Sequence, residues 1–316
     1  MRKSEKITKK KKKKISIDNA VFCTVMLAFP LLQFVIFYIG VNFNSILLAF
    51  QDIKLEGTKE TVGWTFANFG FDRMFAGLKV HEVLRMGGMS VLSWAINVCF
   101  NVPLGLLFSF YISKKFPLSK AFRVILYLPS ILSAIVMVTI YMQFTDNVLP
   151  AFIYDALKLN PKLNLWDGLT GLKETRFLVV IFFNVFIGFG VAVLMYSNTM
   201  SSIDPAMIEA AHLDGATGIK EFWYITLPQV YPTLTVFLYT GVATIFTNQI
   251  NLYAFYGGSA PLDIQTLGYY LFTETQRLSS SEYTRLSAIG IVLTFIAIPL
   301  TMGAKKLLEK LGPKEV

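Results

Sequence analysis

Residues 177–196 read FLVVIFFNVFIGFGVAVLMY, twenty positions whose one strongly polar side chain, Asn184, carries no charge. A bilayer core takes about 20 predominantly apolar residues per spanning helix, so this stretch is long enough to cross one. A soluble helix of that length keeps a polar face, and none is present. Continuous apolar character also excludes a barrel strand, which alternates over about ten residues. Working outward, five more runs of the same kind are readable: Ala20–Val41, Gly88–Ile112, Val124–Phe144, Thr233–Tyr256 and Leu286–Ala304. Val124–Ile140 contains no charge at all. Of 316 residues 54% are hydrophobic and 16% charged, too apolar for an ordinary soluble domain of this size. The expected fold is all-α and polytopic, with six transmembrane helices.

Charge gives the orientation. With six spans both termini share one side, and basic residues favour the cytoplasmic side. Placing the termini there puts 18 of the 29 Lys and Arg inside. Nine lie in the N-terminal tail, including Lys9–Lys14, and residues 47–85 on the other side balance five basic against five acidic side chains. The lysine run has no interleaved aromatics to stack on bases. It reads as an anchor at the anionic lipid surface, and no nucleic-acid partner is expected. The first run has no small-residue cleavage site after its basic tail, so it is expected to be retained rather than removed as a signal peptide. Cys23 and Cys99 lack metal-ligand spacing and read as small buried apolar residues. The expected organisation is a basic cytoplasmic tail (1–18), a membrane domain (19–310) interrupted by a polar insert (198–232), and a short cytoplasmic tail (311–316).

The insert reads SNTMSSIDPAMIEAAHLDGATGIKEFWYITLPQVYP. Asp204-Pro205 predicts a helix start, with Asp204 as N-cap and Pro205 in the first turn. The helix runs from Ala206 to Leu213 and stops at Asp214-Gly215. A second piece, Ala216 to Thr226, is predicted to end at Leu227-Pro228, which turns the chain towards the fifth run. Ala210 and Ala211 let a partner approach the backbone, Glu209 offers a charge, and Gly215 permits a sharp turn. Phe222, Trp223 and Tyr224 are bulky enough to seat the second piece on the ends of the spanning helices. On these grounds alone the insert is either a docking elbow for a cytoplasmic partner or an amphipathic connector on the membrane surface.

The spacing Glu209-Ala210-Ala211, three residues, Gly215, nine residues, Ile225, one residue, Leu227-Pro228 resembles the EAA loop of type I ATP-driven (ABC) importer permeases. Seven specified residues fall within 20 positions, and Asp214 and Phe222 stand where that family often has them. Three further segments resemble its carbohydrate branch, the maltose- and polysaccharide-type subunits: Ile46–Asp52, Tyr127-Leu128-Pro129-Ser130, and Gly257-Gly258-Ser259-Ala260-Pro261 with two residues inserted. The resemblance covers roughly residues 20–310. It implies a cytoplasmic coupling helix between spans four and five in a bacterial cell-membrane permease. The partners implied are a second, different permease subunit, two copies of a cytoplasmic ATPase, and an extracytoplasmic solute-binding protein. Glu209, Ala210, Ala211, Asp214, Gly215, Phe222, Leu227 and Pro228 would form the ATPase-coupling element.

The chain has no G-x-x-x-x-G-K-[ST] sequence, and Gly215-Ala-Thr-Gly218-Ile-Lys220 brings its glycines too close for a phosphate loop. ATP and magnesium are therefore expected on the partner ATPase, with no cofactor on this chain. His81 and His212 stand apart from any Ser, Asp or Cys constellation, so no catalysis is expected of the chain and no metal site. Polar groups inside spans tend to face a cavity or another helix. The candidates for a substrate path are Asn97, Asn101, Tyr141, Gln143, Asn184, Thr247, Asn248, Gln249, Asn251 and Tyr253. Amides and aromatic faces suit a neutral sugar, and no charge lies within a span to hold an ion. Pro103, Pro129 and Pro299 are candidate kinks. A permease for amino acids, peptides or polyamines would share the insert. A stand-alone secondary transporter would instead show intramembrane carboxylates or an inverted repeat, and neither is seen.

Overall fold

The first apolar run forms one helical rod. In the computed structural model, which describes residues 17–56, 59–152, 168–277 and 282–313, α1 (Ile17–Gln33) passes through a π-helical stretch (Phe34–Gly40) into α2 (Val41–Ala49). The Lys9–Lys14 run and residues 314–316 lie outside the described residues. None of the rod's most apolar window is covered by the rest of the chain, and α2 alone of its parts packs firmly, along the last helix. Cys23 and, farther on, Cys99 are exposed on helix surfaces. Neither is the buried filler that its residue type suggested, because each points away from the chain's own packing.

After α2 the chain forms an antiparallel hairpin of β1 (Gln51–Glu56) and β2 (Lys59–Trp64), in register from Gln51↔Trp64 to Glu56↔Lys59. Buried Asn68 fastens the hairpin to the rod, its Nδ2 donating to Ala49 O (3.1 Å) and Gln51 O (2.8 Å). A short helix, α3 (Phe71–Met74), leads to α4 (Val80–Ser113). At about 1.5 Å rise per residue α4 is roughly 50 Å long, well beyond a hydrocarbon core of about 30 Å. It contains Pro103.

The third run is not one helix. α5 (Ser119–Ile131) ends where Leu132 and Ser133 turn extended (ψ 153° and 134°). The crossing-length segment is Ala134–Phe152, made of α6 (Ala134–Gln143) and a π-helical continuation (Phe144–Val148). α5 instead packs along α8 (Arg176–Ser201), whose Gly190 touches it so closely that a Cβ there would overlap the Leu126 carbonyl oxygen. The change of direction falls three residues after Pro129, one of the candidate kinks, although the run stays uncharged throughout. Between them lies a single turn, α7 (Gly168–Gly171).

The insert follows α8 as α9 (Pro205–Leu213) and α10 (Ile219–Glu221). Leu227-Pro228 does not stop the second piece. The helix runs on through a π-helical turn (Phe222–Thr226) into α11 (Leu227–Ala243). Proline lacks an N–H and crowds the carbonyl four residues back. The wider π turn just before it relieves that conflict. The fifth run, Thr233–Tyr256, is broken too: α11 ends at Ala243, residues 244–251 are turns, and α12 (Leu252–Tyr256) resumes. The chain closes with α13 (Leu267–Arg277) and α14 (Tyr283–Leu311), which contains Pro299. Among the described residues five helices, not six, are long and apolar enough to cross a membrane uninterrupted.

Two cores form at opposite ends of α4. At its N-terminal end Met74, Phe75 and Met86 meet Leu267, Tyr270, Leu286 and Ile289. At its C-terminal end Leu106 meets Tyr196, Met200, Phe222, Val230 and Leu234. A third cluster (Val138, Val180, Phe183, Leu252, Phe255, Ile264) holds α6, α8 and α12 together. The cavity described below is bounded by α4, α8 and the interrupted fifth run.

Candidate functional site

The insert folds as an elbow beside the C-terminal end of α4. Asp204 Oδ1 accepts from Ala206 N (2.9 Å) and Pro205 starts α9, as the sequence predicts. The turn after Leu213 uses Gly215 at φ +80° and Gly218 at φ +59°, a region open to glycine at no steric cost. Glu209, Ala210 and Asp214 are exposed, and Glu209 has no hydrogen bond or ion pair among the described residues. Ala211, by contrast, is buried within the chain, so only Ala210 offers a bare backbone to a partner. Leu213 and Ile219, not singled out in the sequence, form the apolar tip at 90% and 76% exposure.

Of the three aromatics only Phe222 seats the elbow: it is buried edge-on against Phe110 of α4 (5.2 Å between ring centres). Trp223 and Tyr224 point outward, since consecutive helical residues diverge by about 100° and only one of the three can face α4. Leu227 and Pro228 are half-buried. His212 is not isolated. Its Nε2 lies 2.9 Å from Oε2 of buried Glu221, whose Oε1 pairs with Lys114 at the end of α4.

Farther along α4 a cavity of about 390 Å³ opens between α4, α8, α11 and the break. Ser90, Ser93, Trp94, Asn97 and Asn101 line it from α4, Asn184 and Gly188 from α8, and Thr244, Asn248, Ile250 and Asn251 from the interrupted run. None of the lining side chains is charged. Ser93 Oγ, Trp94 Nε1 and Asn101 Oδ1 are buried without a hydrogen-bond partner among the described residues. Of the ten predicted path residues the cavity gathers Asn97, Asn101, Asn184, Asn248 and Asn251. The other five lie elsewhere. Tyr141 donates to Val179 O (3.1 Å) inside the α6–α8 core, and exposed Gln143 bonds Asn147 (2.9 Å). Thr247 faces α14, and Tyr253 packs on Phe272 (4.9 Å). Gln249 is not in the lining, although its Oε1 is buried without a partner. Of these five, Thr247, Gln249 and Tyr253 belong to the interrupted run, and Tyr141 and Gln143 to α6, which does not border the cavity.

Ser90, Ser93 and Trp94 were missed, yet a signal existed. They continue the Asn97–Asn101 stripe back along α4 at helical spacing of three and four residues.

The break is held by polar side chains. Asn184 Nδ2 donates to Ile250 O (2.8 Å), Asn251 Nδ2 donates to Asn184 Oδ1 (2.8 Å), and Asn248 Oδ1 accepts from Ile250 N (2.8 Å). Thr266 Oγ1 donates to Asn248 O (3.0 Å). These bonds fix Ile250 and Asn251 at φ +45° and +57°, a costly conformation for a β-branched residue. Non-helical backbone at membrane depth is tolerated where protein buries it or a cavity borders it, and both conditions hold here.

A multi-pass helical chain with a broken helix bordering a polar cavity, and a polar elbow joined to that helix, defines a membrane transport component. Residues 101–314 match the model of the binding-protein-dependent transport system inner membrane component family, and the chain belongs to that family. The resemblance carried by Glu209–Pro228 therefore holds. Similar curated proteins include the multiple sugar-binding transport system permease protein MsmF of Streptococcus mutans, 22% identical over 88% of this chain and 92% of that one. The galactooligosaccharides transport system permease protein GanP of Bacillus subtilis is 25% identical over 82% of this chain, which spans 63% of its length. Among solved structures, a bacterial alginate ABC transporter in complex with alginate pentasaccharide-bound periplasmic protein superposes with TM-score 0.73. That match covers 95% of this chain and 98% of the other at 20% identity, a likeness of fold.

Proposed function

We propose that this chain is the translocation subunit of an ATP-driven importer for a neutral oligosaccharide. The observation that carries the reading is the continuity of one element. α10, the π turn and α11 form a single helical path from the exposed elbow to the wall of an uncharged polar cavity. The elbow would dock on a cytoplasmic ATPase through Glu209, Ala210 and the Leu213–Ile219 tip, with Asp214 and Gly215 forming the turn. Phe222, Leu227 and Pro228 would carry the motion into α11. ATP and magnesium would sit on the ATPase, of which two copies would serve this chain and a second, different permease subunit. An extracytoplasmic binding protein would deliver solute, and both termini would face the cytoplasm.

Amides and a hydroxyl around Trp94 match a sugar: amides exchange hydrogen bonds with its hydroxyls, and an indole face covers the apolar side of a pyranose ring. Without a charge in the lining, an anionic solute would lose its hydration with no countercharge to replace it. The names of the curated relatives, which refer to sugars and galactooligosaccharides, support the same class. The test is uptake into proteoliposomes holding the complete complex, co-purified from its native membrane, with its binding protein outside and ATP inside. Uptake of a neutral oligosaccharide that requires ATP is expected. Uptake without ATP, or of amino acids and not sugars, would refute the reading.

A further inference from the structure

The elbow has a mechanical weakness. α9 joins α10 through residues 214–218, whose two glycines take positive φ with open space around them. A force applied to α9 would be absorbed by rotation at such a joint unless the end of α9 beside it were pinned. Glu221 is placed to pin it. The residue is 2% exposed, and its carboxylate faces a lysine and a histidine on different elements. One oxygen accepts from His212 in the last turn of α9, and the other pairs with Lys114 just past the end of α4. Lys114 also lies over the Phe110 ring (5.6 Å), and Phe110 meets Phe222, the residue after Glu221. A carboxylate that far from solvent needs its partners, so the three side chains fix one another.

We propose that Glu221 is a positioning residue that locks α9, the end of α4 and the root of α11 into one rigid body through His212 and Lys114. Movement of the elbow then reaches the second apolar run as well as the fifth, and both line the cavity. The proposal rests on the ATPase-coupling reading of the elbow and deepens it, since it names the contact through which force passes.

The test cuts one arm at a time in the complete reconstituted complex and reads solute imported per ATP hydrolysed. His212→Ala releases α9 and leaves the buried Glu221–Lys114 pair in place. Its import per ATP is expected to fall about threefold to tenfold, in the range by which residues that touch neither ligand modulate coupling. His212→Gln, which can still hydrogen-bond Glu221, is expected to recover most of the loss. A wild-type ratio in His212→Ala, or an equal loss in both variants, would overturn the joint. So would loss of the ATPase from the purified His212→Ala complex, which would make His212 a docking residue. If the wild-type complex itself imports nothing with ATP, it is the coupling reading that fails.

Discussion

Replacing Asn184 with alanine removes the amide that holds the interruption of the fifth apolar run. Two bonds between segments disappear, Asn184 Nδ2 to Ile250 O and Asn251 Nδ2 to Asn184 Oδ1, both 2.8 Å. Bonds of this kind between membrane helices average about 0.6 kcal/mol and reach about 1.7, so the pair accounts for roughly 1–3 kcal/mol. The Ile250 carbonyl, on a residue only 6% exposed, also loses its partner, a cost of about 1–3 kcal/mol if it stays buried. Relaxation of Ile250 from φ +45° returns part of this, because such strain is of order 1–3 kcal/mol and persists only while its surroundings impose it. A net loss of about 2–4 kcal/mol is expected from these parts. The assay is reversible unfolding in mixed micelles with rising dodecyl sulfate, followed by circular dichroism. Gln143→Ala serves as the reference, because its exposed amide bonds only Asn147. It is expected to stay within about 0.5 kcal/mol of wild type. An Asn184→Ala curve superimposed on that of Gln143→Ala would refute the account of the break as a polar clamp.

Three other substitutions test separate parts of the argument. A Cβ on Gly268 would stand 2.5 Å from the Thr247 and Asn248 backbone, so Gly268→Ala is expected to destabilise by about 1–3 kcal/mol, as overpacking does, and to lower the thermal midpoint in detergent. Asn101→Leu removes an unpartnered amide oxygen from the cavity; expression should persist while the concentration for half-maximal uptake rises about tenfold, the effect of one lost hydrogen bond to solute. An unchanged uptake curve would remove Asn101 from the path. Glu209→Lys reverses the exposed charge of the elbow, and a pull-down through this chain should then recover markedly less ATPase; undiminished recovery would exclude Glu209 from docking.

What the sequence made legible follows from how local each determinant is. Four apolar runs became crossing-length helices because unbroken hydrophobicity is enough to specify them. The start of α9 was readable since Asp204 and Pro205 act within one turn. The interruption at 244–251 was not, because its polar residues suit a cavity-lining helix as well as a break, and what holds the break is Asn184, 66 residues from Ile250. The same holds for Glu221, whose partners Lys114 and His212 come together only once the elbow has folded back on α4. Of the ten candidate path residues five line the cavity, Asn97, Asn101, Asn184, Asn248 and Asn251. Thr247, Gln249 and Tyr253 do not, because the cluster 247–253 was read on a continuous helix that the chain interrupts, and Tyr141 and Gln143 sit on α6, which the cavity does not reach. The hairpin β1–β2 left no comparable trace in the pattern of long runs.

The π turn at Phe222–Thr226 also sets the phase of everything that follows it. Each residue of an α-helix advances its thread by about 100° and about 1.5 Å, and a π turn holds one residue more than the α-helical screw would. Gly241 reaches the Trp94 indole, where a Cβ would stand 2.9 Å from Nε1, only because that surplus residue has been wound in upstream. Spacing along this segment is therefore a dial as well as a ruler. Shortening it by one position would leave the helix intact and turn a different flank of α11 towards the cavity.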